Sequence, residues 1–391
     1  MNILQRSSIL ILSLLMVTPA IASPSSHGDS ITATERILPF DPQTIELNVD
    51  TFIFATRQTS QGFRTKMTKK VKSASFNTYF PESAQDLKGV IYFLHGGGGN
   101  KDTWLSKNIE SSSLVSDAVL EGYGVIMPES LDRFDGEVRG WYWSDYWHNS
   151  ANDYVSQYDD ENMLRKINQM MITHGYYTPN TPVYLVGASN GCRMAQAMGS
   201  RLLVQGGNPI TDDITIFEGE RSDAPLGPVG HAVNVKAIAA YICKPDEDFL
   251  PDYITPTIFN HGKADANNPW TEVEAFRAQV EINQNAVGIF HGTKRNMTLP
   301  SPLTRDQLTR VPGMSYPYAR MLYDMFDDLG FLHANGVSQA AVGFINDMES
   351  QGEISDEIAA EIKGQVERSN AGHTVDSQWN RNTLRFFDHW Q

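Results

Sequence analysis

Hydrophobic and polar positions change their rhythm near residue 88. Before that point, residues 46–57 and 73–80 alternate apolar and polar side chains. That period of two is expected of strands with one wet face. Beyond it come unbroken apolar runs: GVIYFLH from Gly89, YGVIMPES from Tyr123, PVYLVGAS from Pro182, VKAIAAYIC from Val235 and TPTIFNHG from Thr255. A strand covered on both faces needs no alternation, so these runs predict parallel strands inside a sheet. Segments with helical spacing separate them, roughly 111–121, 160–174 and 191–203. The alternation predicts an α/β architecture, a mostly parallel central sheet flanked by helices.

Helix-start signals cluster later. Thr271 to Glu274 and Thr304 to Gln307 both fit a capping box, and Ser355 precedes Ile358, Ile362 and Val366 at four-residue spacing. Residues 294–362 are therefore expected to form an inserted helical subdomain, placed as a lid would be. No repeat or linker divides the rest, so residues 45–391 are expected to be one domain carrying that insertion.

The N-terminus has its own pattern. Arg6 precedes an apolar run over residues 8–17, followed by small residues at Ala20 and Ala22. This predicts a signal peptide over residues 1–22, cleaved after Ala22, and the run is shorter than the roughly 20 residues that span a bilayer. Residues 23–44, rich in Ser, Thr, Pro and Asp, are expected to be a flexible leader. The chain is then expected to be secreted or periplasmic, with no membrane attachment after cleavage.

Composition narrows the function classes. The chain has 391 residues, a hydrophobic fraction of 41% and a formal net charge of −15. That charge would repel nucleic-acid phosphates, so no nucleic-acid partner is expected. The two cysteines, Cys192 and Cys243, are either a disulfide or two buried thiols, and neither has histidines at zinc-type spacing. No metal or cofactor is expected. The pattern says nothing of oligomeric state.

Gly187 to Gly191 reads Gly-Ala-Ser-Asn-Gly at the end of a predicted strand and the start of a predicted helix. A serine on so sharp a turn stands clear of the sheet, and the glycines leave room for it. Ser189 is thus a candidate nucleophile. His95 to Asn100 follows another predicted strand with four glycines, whose bare N–H groups can approach a carbonyl oxygen. Gly97, with its neighbour Gly96, and Asn190 just after the serine are the candidate oxyanion donors. No Lys-Ser/Thr follows the glycines, so a phosphate loop does not fit.

A serine nucleophile needs a base and an acid that orients it, expected downstream in the order acid, histidine. Asp265, just past the fifth apolar run, is the favoured acid, with Asp246 and Asp248 as rivals. His373, in a small-residue loop before a final amphipathic helix, is the favoured base. His291 is its main rival, and His333 and His389 are weaker ones. Trp141, Trp143 and Trp147, with Tyr142 and Tyr146, crowd one segment. They either bind an apolar or aromatic acyl group or pack against the insertion.

On VIYFLHGGGG, the Tyr158–Asp160 stretch, VYLVGASNGCRMA, HGKAD and AGHT, the chain resembles the α/β-hydrolase esterases that include polyhydroxybutyrate depolymerases and feruloyl esterases. The resemblance spans about residues 70–275 and the tail around His373. It implies an α/β-hydrolase fold, Ser189 as nucleophile, His373 as base and then acid, and Asp265 orienting the imidazole. It implies soluble esters, short hydroxyalkanoate oligomers or aromatic esters as substrates. Cys192 stands where that family commonly has a second glycine, which implies a tie between the elbow helix and Cys243. The spacing from Asp265 to His373 is wider than usual, which implies the insertion. A serine peptidase of the same fold and a catalytically silent binding protein are the alternatives.

Overall fold

The computed structural model describes residues 40–59, 62–81, 87–131, 147–148, 153–157, 159–203, 233, 235–243, 250 and 253–391. The expected signal peptide at 1–22, and the expected leader as far as residue 39, lie outside them. Gln43 and Thr44, assigned to that leader, already pair in the first strand. The alternating N-terminal segments form one long antiparallel hairpin, β1 (Gln43–Thr59) and β2 (Gly62–Tyr79). Its second strand begins eleven residues before the expected Ser73, because cross-strand pairing carries the lysine-rich half that composition alone leaves as loop.

The five apolar runs become β3 (Gly89–Leu94), β4 (Tyr123–Pro128), β7 (Val183–Ala188), β8 (Val235–Tyr241) and β9 (Thr257–Gly262). Their side chains divide by parity. Val90, Tyr92 and Leu94 enter one apolar core, while Ile91 and Phe93 enter the other across the sheet. With core on both faces, there is no polar face to interrupt the run. Helices α1 (Thr103–Ser106), α2 (Ile109–Leu120), α3 (Asp159–Thr173), α4 (Asn190–Leu203) and α5 (Trp270–Ala286) connect them.

The sheet order is β10-β9-β8-β7-β3-β4-β2-β1-β6-β5, where β5 is Trp147–His148, β6 is Asp153–Gln157 and β10 is Thr293–Thr298. Every pair from β4 to β10 is parallel, and β2 joins β4 antiparallel. Apart from the small β5–β6 hairpin on the β1 edge, this is the α/β-hydrolase fold. All the parallel strands end at one edge of the sheet, and their following loops meet there.

Two local expectations are corrected. The insertion does not begin at 294: residues 293–298 are the edge strand β10, a mostly polar strand that apolar periodicity does not mark. Thr271 is not an N-cap either. Helix α5 starts at Trp270 after Pro269, with no side-chain cap.

The insertion contains α6 (Arg305–Thr309), α7 (Tyr316–Asp328), the short hairpin β11 (Leu332–His333) and β12 (Gly336–Val337), α8 (Ala340–Ser350) and α9 (Asp356–Ser369). Thr304 and Gln307 form the expected capping box, and Ser355 caps α9. The insertion has its own apolar core, including Leu322, Phe326, Ile345 and Ile362. Fully buried Glu110 on α2 fastens it to the sheet domain. That carboxylate takes hydrogen bonds from Gln365 Nε2 at 3.0 Å and Ser377 N–H at 2.9 Å, and pairs with Arg310 at 3.2 Å. Burial pushes Glu110 up. The hydrogen bonds and the charges of Arg368 and Arg310 outweigh it and hold the carboxyl below its usual range. A lid hinging here would have to break a buried ionic cluster. The final helix α10 (Asn380–His389) closes the second core with Phe386 and Phe387.

Candidate active site

Ser189 stands between β7 and α4 with φ of 52°, the left-handed conformation that serine rarely adopts. Its N–H donates to Tyr241 O at 2.9 Å, and its carbonyl accepts from Cys192 N–H at 3.0 Å. The flanking glycines are required by contact. A side chain at Gly187 would collide with Gly191 O and the Cys192 backbone, and one at Gly191 would enter the Leu94 and His95 carbonyls. The helix therefore packs against the end of β3 at backbone distance. Its positive end lies directly behind the serine.

The end of β3 supplies the glycine loop. His95, fully buried, bonds through Nδ1 to Gly96 O at 2.8 Å and accepts at Nε2 from Ser130 N–H at 3.1 Å. That fixes the ring as the Nδ1–H tautomer and anchors the start of the loop. A Cβ placed on Gly96 would lie 3.4 Å from Ser189 Cβ, whereas Gly97 faces open space. Both glycines line one cavity with Ser189 and His373. Asn190 begins α4 beside them.

Asp265 and His373 meet. His373 Nδ1 lies 2.8 Å from Asp265 Oδ2. Asp265 Oδ1 accepts from Asn267 N–H at 2.9 Å and Asn268 N–H at 3.1 Å, a local turn that orients the carboxylate. Burial pushes the Asp265 carboxyl up, but the hydrogen bond and charge of His373 and the two amides outweigh it and hold it below the usual range. An ionised Asp265 draws the Nδ1 hydrogen, which leaves Nε2 as the open nitrogen.

The insertion delivers His373. Helix α9 ends at Ser369, Ala371 adopts φ of 50°, and the chain then turns into the histidine. Ala371 O accepts from Ala264 N–H at 3.0 Å, and any side chain at Gly262 would strike that carbonyl. Glu367 Oε1 on α9 accepts His373 N–H at 2.9 Å. Asn370 brackets Val337 of β12 with two hydrogen bonds, at 2.6 and 3.0 Å.

The other candidates are placed in other elements or lie outside the described residues. His291 precedes β10 and so sits at the opposite edge of the sheet from Ser189, about 20 Å along six-residue strands. His333 is in the insertion's hairpin, and His389 packs against Trp390 at the end of α10. Asp246, Asp248, Trp141 and Trp143 lie outside the described residues, and Trp147 is placed only by its backbone in β5.

Cys192 and Cys243 are joined as a disulfide, with Cα atoms 6.1 Å apart. It ties α4 to the residue after Ile242, which holds φ of 46° although β-branched, and which lines the cavity. Three residues here escaped the sequence reading. Asn268 Nδ2 donates to Ile242 O at 3.0 Å while its backbone serves Asp265, so it bridges acid and cavity wall. The Asp-x-Asn-Asn turn was the available signal. Glu367 had only its distance from His373. Lys107 had none.

No family model matches the chain, and no curated protein matches it. Solved structures similar to it include the Pyrococcus furiosus esterase Pf2001, at 10% identity and a TM-score of 0.35, over 71% of this chain and 88% of that one. Zea mays acyl-protein thioesterase 2 is 16% identical with a TM-score of 0.34, over 57% and 88%. Thermogutta terrifontis esterase 2 phosphorylated by paraoxon is 13% identical with a TM-score of 0.35, over 57% and 75%. At such distances neither substrate nor chemistry carries across.

Proposed function

We propose that the chain is a serine carboxylic-ester hydrolase working through an acyl-enzyme on Ser189. The observation that carries this reading is a serine with φ of 52° sharing a cavity with His373, whose Nδ1 is held 2.8 Å from Asp265. His373 Nε2 takes the hydroxyl proton as Ser189 Oγ attacks the ester carbonyl. The N–H of Asn190 and those of the Gly96–Gly97 loop receive the oxyanion. Collapse breaks the bond to the alcohol, which leaves with the proton from His373. Water, deprotonated by the same nitrogen, then attacks the acyl-enzyme and releases the acid. Asp265 steadies the imidazolium in both halves.

Soluble esters, short hydroxyalkanoate oligomers and aromatic esters are the substrates of this reading. The compartment is secreted or periplasmic, resting on the N-terminal apolar run. The disulfide supports it, because such bonds persist in oxidising surroundings. A fluorophosphonate probe is expected to label the wild type and to leave Ser189→Ala unlabelled, with intact mass locating the adduct. Equal labelling of Ser189→Ala overturns the assignment.

A further inference from the structure

The cavity that holds Ser189 and His373 encloses about 130 Å³, and one side of it is segment 103–111. Thr103, Trp104, Lys107, Asn108 and Ser111 line that side. Most of their polar atoms are already committed. Thr103 Oγ1 accepts from Asn100 N–H at 2.7 Å, and Asn108 Oδ1 accepts from Ser111 N–H at 2.9 Å as the cap of α2. Two donors are not. The indole Nε1–H of Trp104 is buried without a partner, on a residue 2% exposed. The ammonium of Lys107 has no carboxylate within ion-pair distance among the described residues.

The acids of this region serve other groups. Glu361 takes Ile109 N–H at 3.1 Å, and Glu110 is held by Arg310 and Gln365. Lys107 is exposed as a whole residue, yet protein around its ammonium lowers its pKa through burial alone. A cation on a cavity wall with no counter-charge within reach gains from an anion placed there. Burying an indole N–H unpaired is costly. Trp104 and Lys107 both line the cavity that holds the candidate nucleophile.

We propose that Lys107 and the Trp104 indole N–H form a subsite for a carboxylate on the substrate, so that the preferred esters carry a free carboxylate near the scissile bond. This rests on the hydrolase reading of Ser189. Two donors match the two oxygens of a carboxylate. A phosphate would call for more positive charge, and apart from His373 the described cavity lining offers only Lys107. With a net charge of −15 on the chain, a local cation offsets the long-range repulsion of an anionic substrate.

The test compares esters of equal length with and without the charge. On the acyl side the pair is mono-p-nitrophenyl glutarate and p-nitrophenyl pentanoate. On the alcohol side it is the butyrate ester of 3-hydroxypropanoate and propyl butyrate. In at least one pair the wild type is expected to favour the anionic ester. Lys107→Met should lower the ratio of kcat/KM, anionic over neutral, about 10- to 100-fold, the range of a charged hydrogen bond. Lys107→Arg should restore most of it. A ratio unmoved by Lys107→Met in both pairs overturns the subsite.

Binding separates this from failure of the hydrolase reading. Titration calorimetry of Ser189→Ala with monomethyl glutarate should show heat that disappears in Ser189→Ala/Lys107→Met. Persistence of equal binding in the double variant, or no binding to Ser189→Ala, overturns the subsite. If no ester is turned over by the wild type, only the hydrolase reading falls.

Discussion

His373 Nδ1 lies 2.8 Å from Asp265 Oδ2 although the two residues are 108 positions apart. In the proposed mechanism this carboxylate selects the tautomer and steadies the charge that develops on the ring. Asp265→Asn keeps the shape and loses both effects, so kcat is expected to fall by about 10⁴-fold, as comparable triads do. Esterase kinetics check this, with circular dichroism to confirm folding. A loss below tenfold would remove Asp265 from the role.

The backbone at Ser189 is held at φ of 52°, in the left-handed region. Glycine accepts φ of 52° without the Cβ penalty, so Ser189→Gly should be more stable than Ser189→Ala by about 1 kcal/mol. Denaturant unfolding of the two inactive variants measures the difference. Equal midpoints would show that the turn carries no strain.

The Cys192–Cys243 bond closes a separation of 51 residues. On the chain-entropy account, its loss should cost about 4 kcal/mol of stability. Cys243→Ala should show this in urea unfolding and should also lose activity, because Ile242 beside it walls the cavity. Full activity with unchanged stability would contradict both parts.

Glu110 gives a pH signature. Its folded pKa lies below the unfolded value of about 4.3, so its contribution to stability is complete above that pH. It is lost as pH falls through the lower folded value. Glu110→Gln should lower the Tm at neutral pH, and the gap to the wild type should narrow on acidification below about pH 4. A gap constant from pH 7 to pH 3 would mean that the carboxylate's charge contributes nothing.

Much of this protein was legible in one dimension because its local patterns have single structural solutions. An apolar run followed by Gly-Ala-Ser-Asn-Gly fits a buried strand turning sharply into a helix, and Gly187 is required by the backbone of Gly191 and Cys192 a few residues on. The polar edge strand β10 was not legible, since it is mostly solvent-facing and has almost no apolar side chain to mark a period. Neither was the paired hairpin extension of β2, which depends on its partner rather than its composition.

The sequence by itself determined the five buried parallel strands, the Gly-Ala-Ser-Asn-Gly turn, the glycine loop, and a short list of acids and histidines. Those properties arise from residues near one another in the chain. Only the tertiary structure showed which described candidates lie together. It brought Asp265 to His373 through α9, put His291 on the far edge, and bonded Cys192 to Cys243. It also placed Lys107 and the Trp104 indole against the serine's cavity. These are contacts across long stretches of chain, set by where parallel strands end and how an insertion docks, and no local pattern of hydrophobicity encodes them.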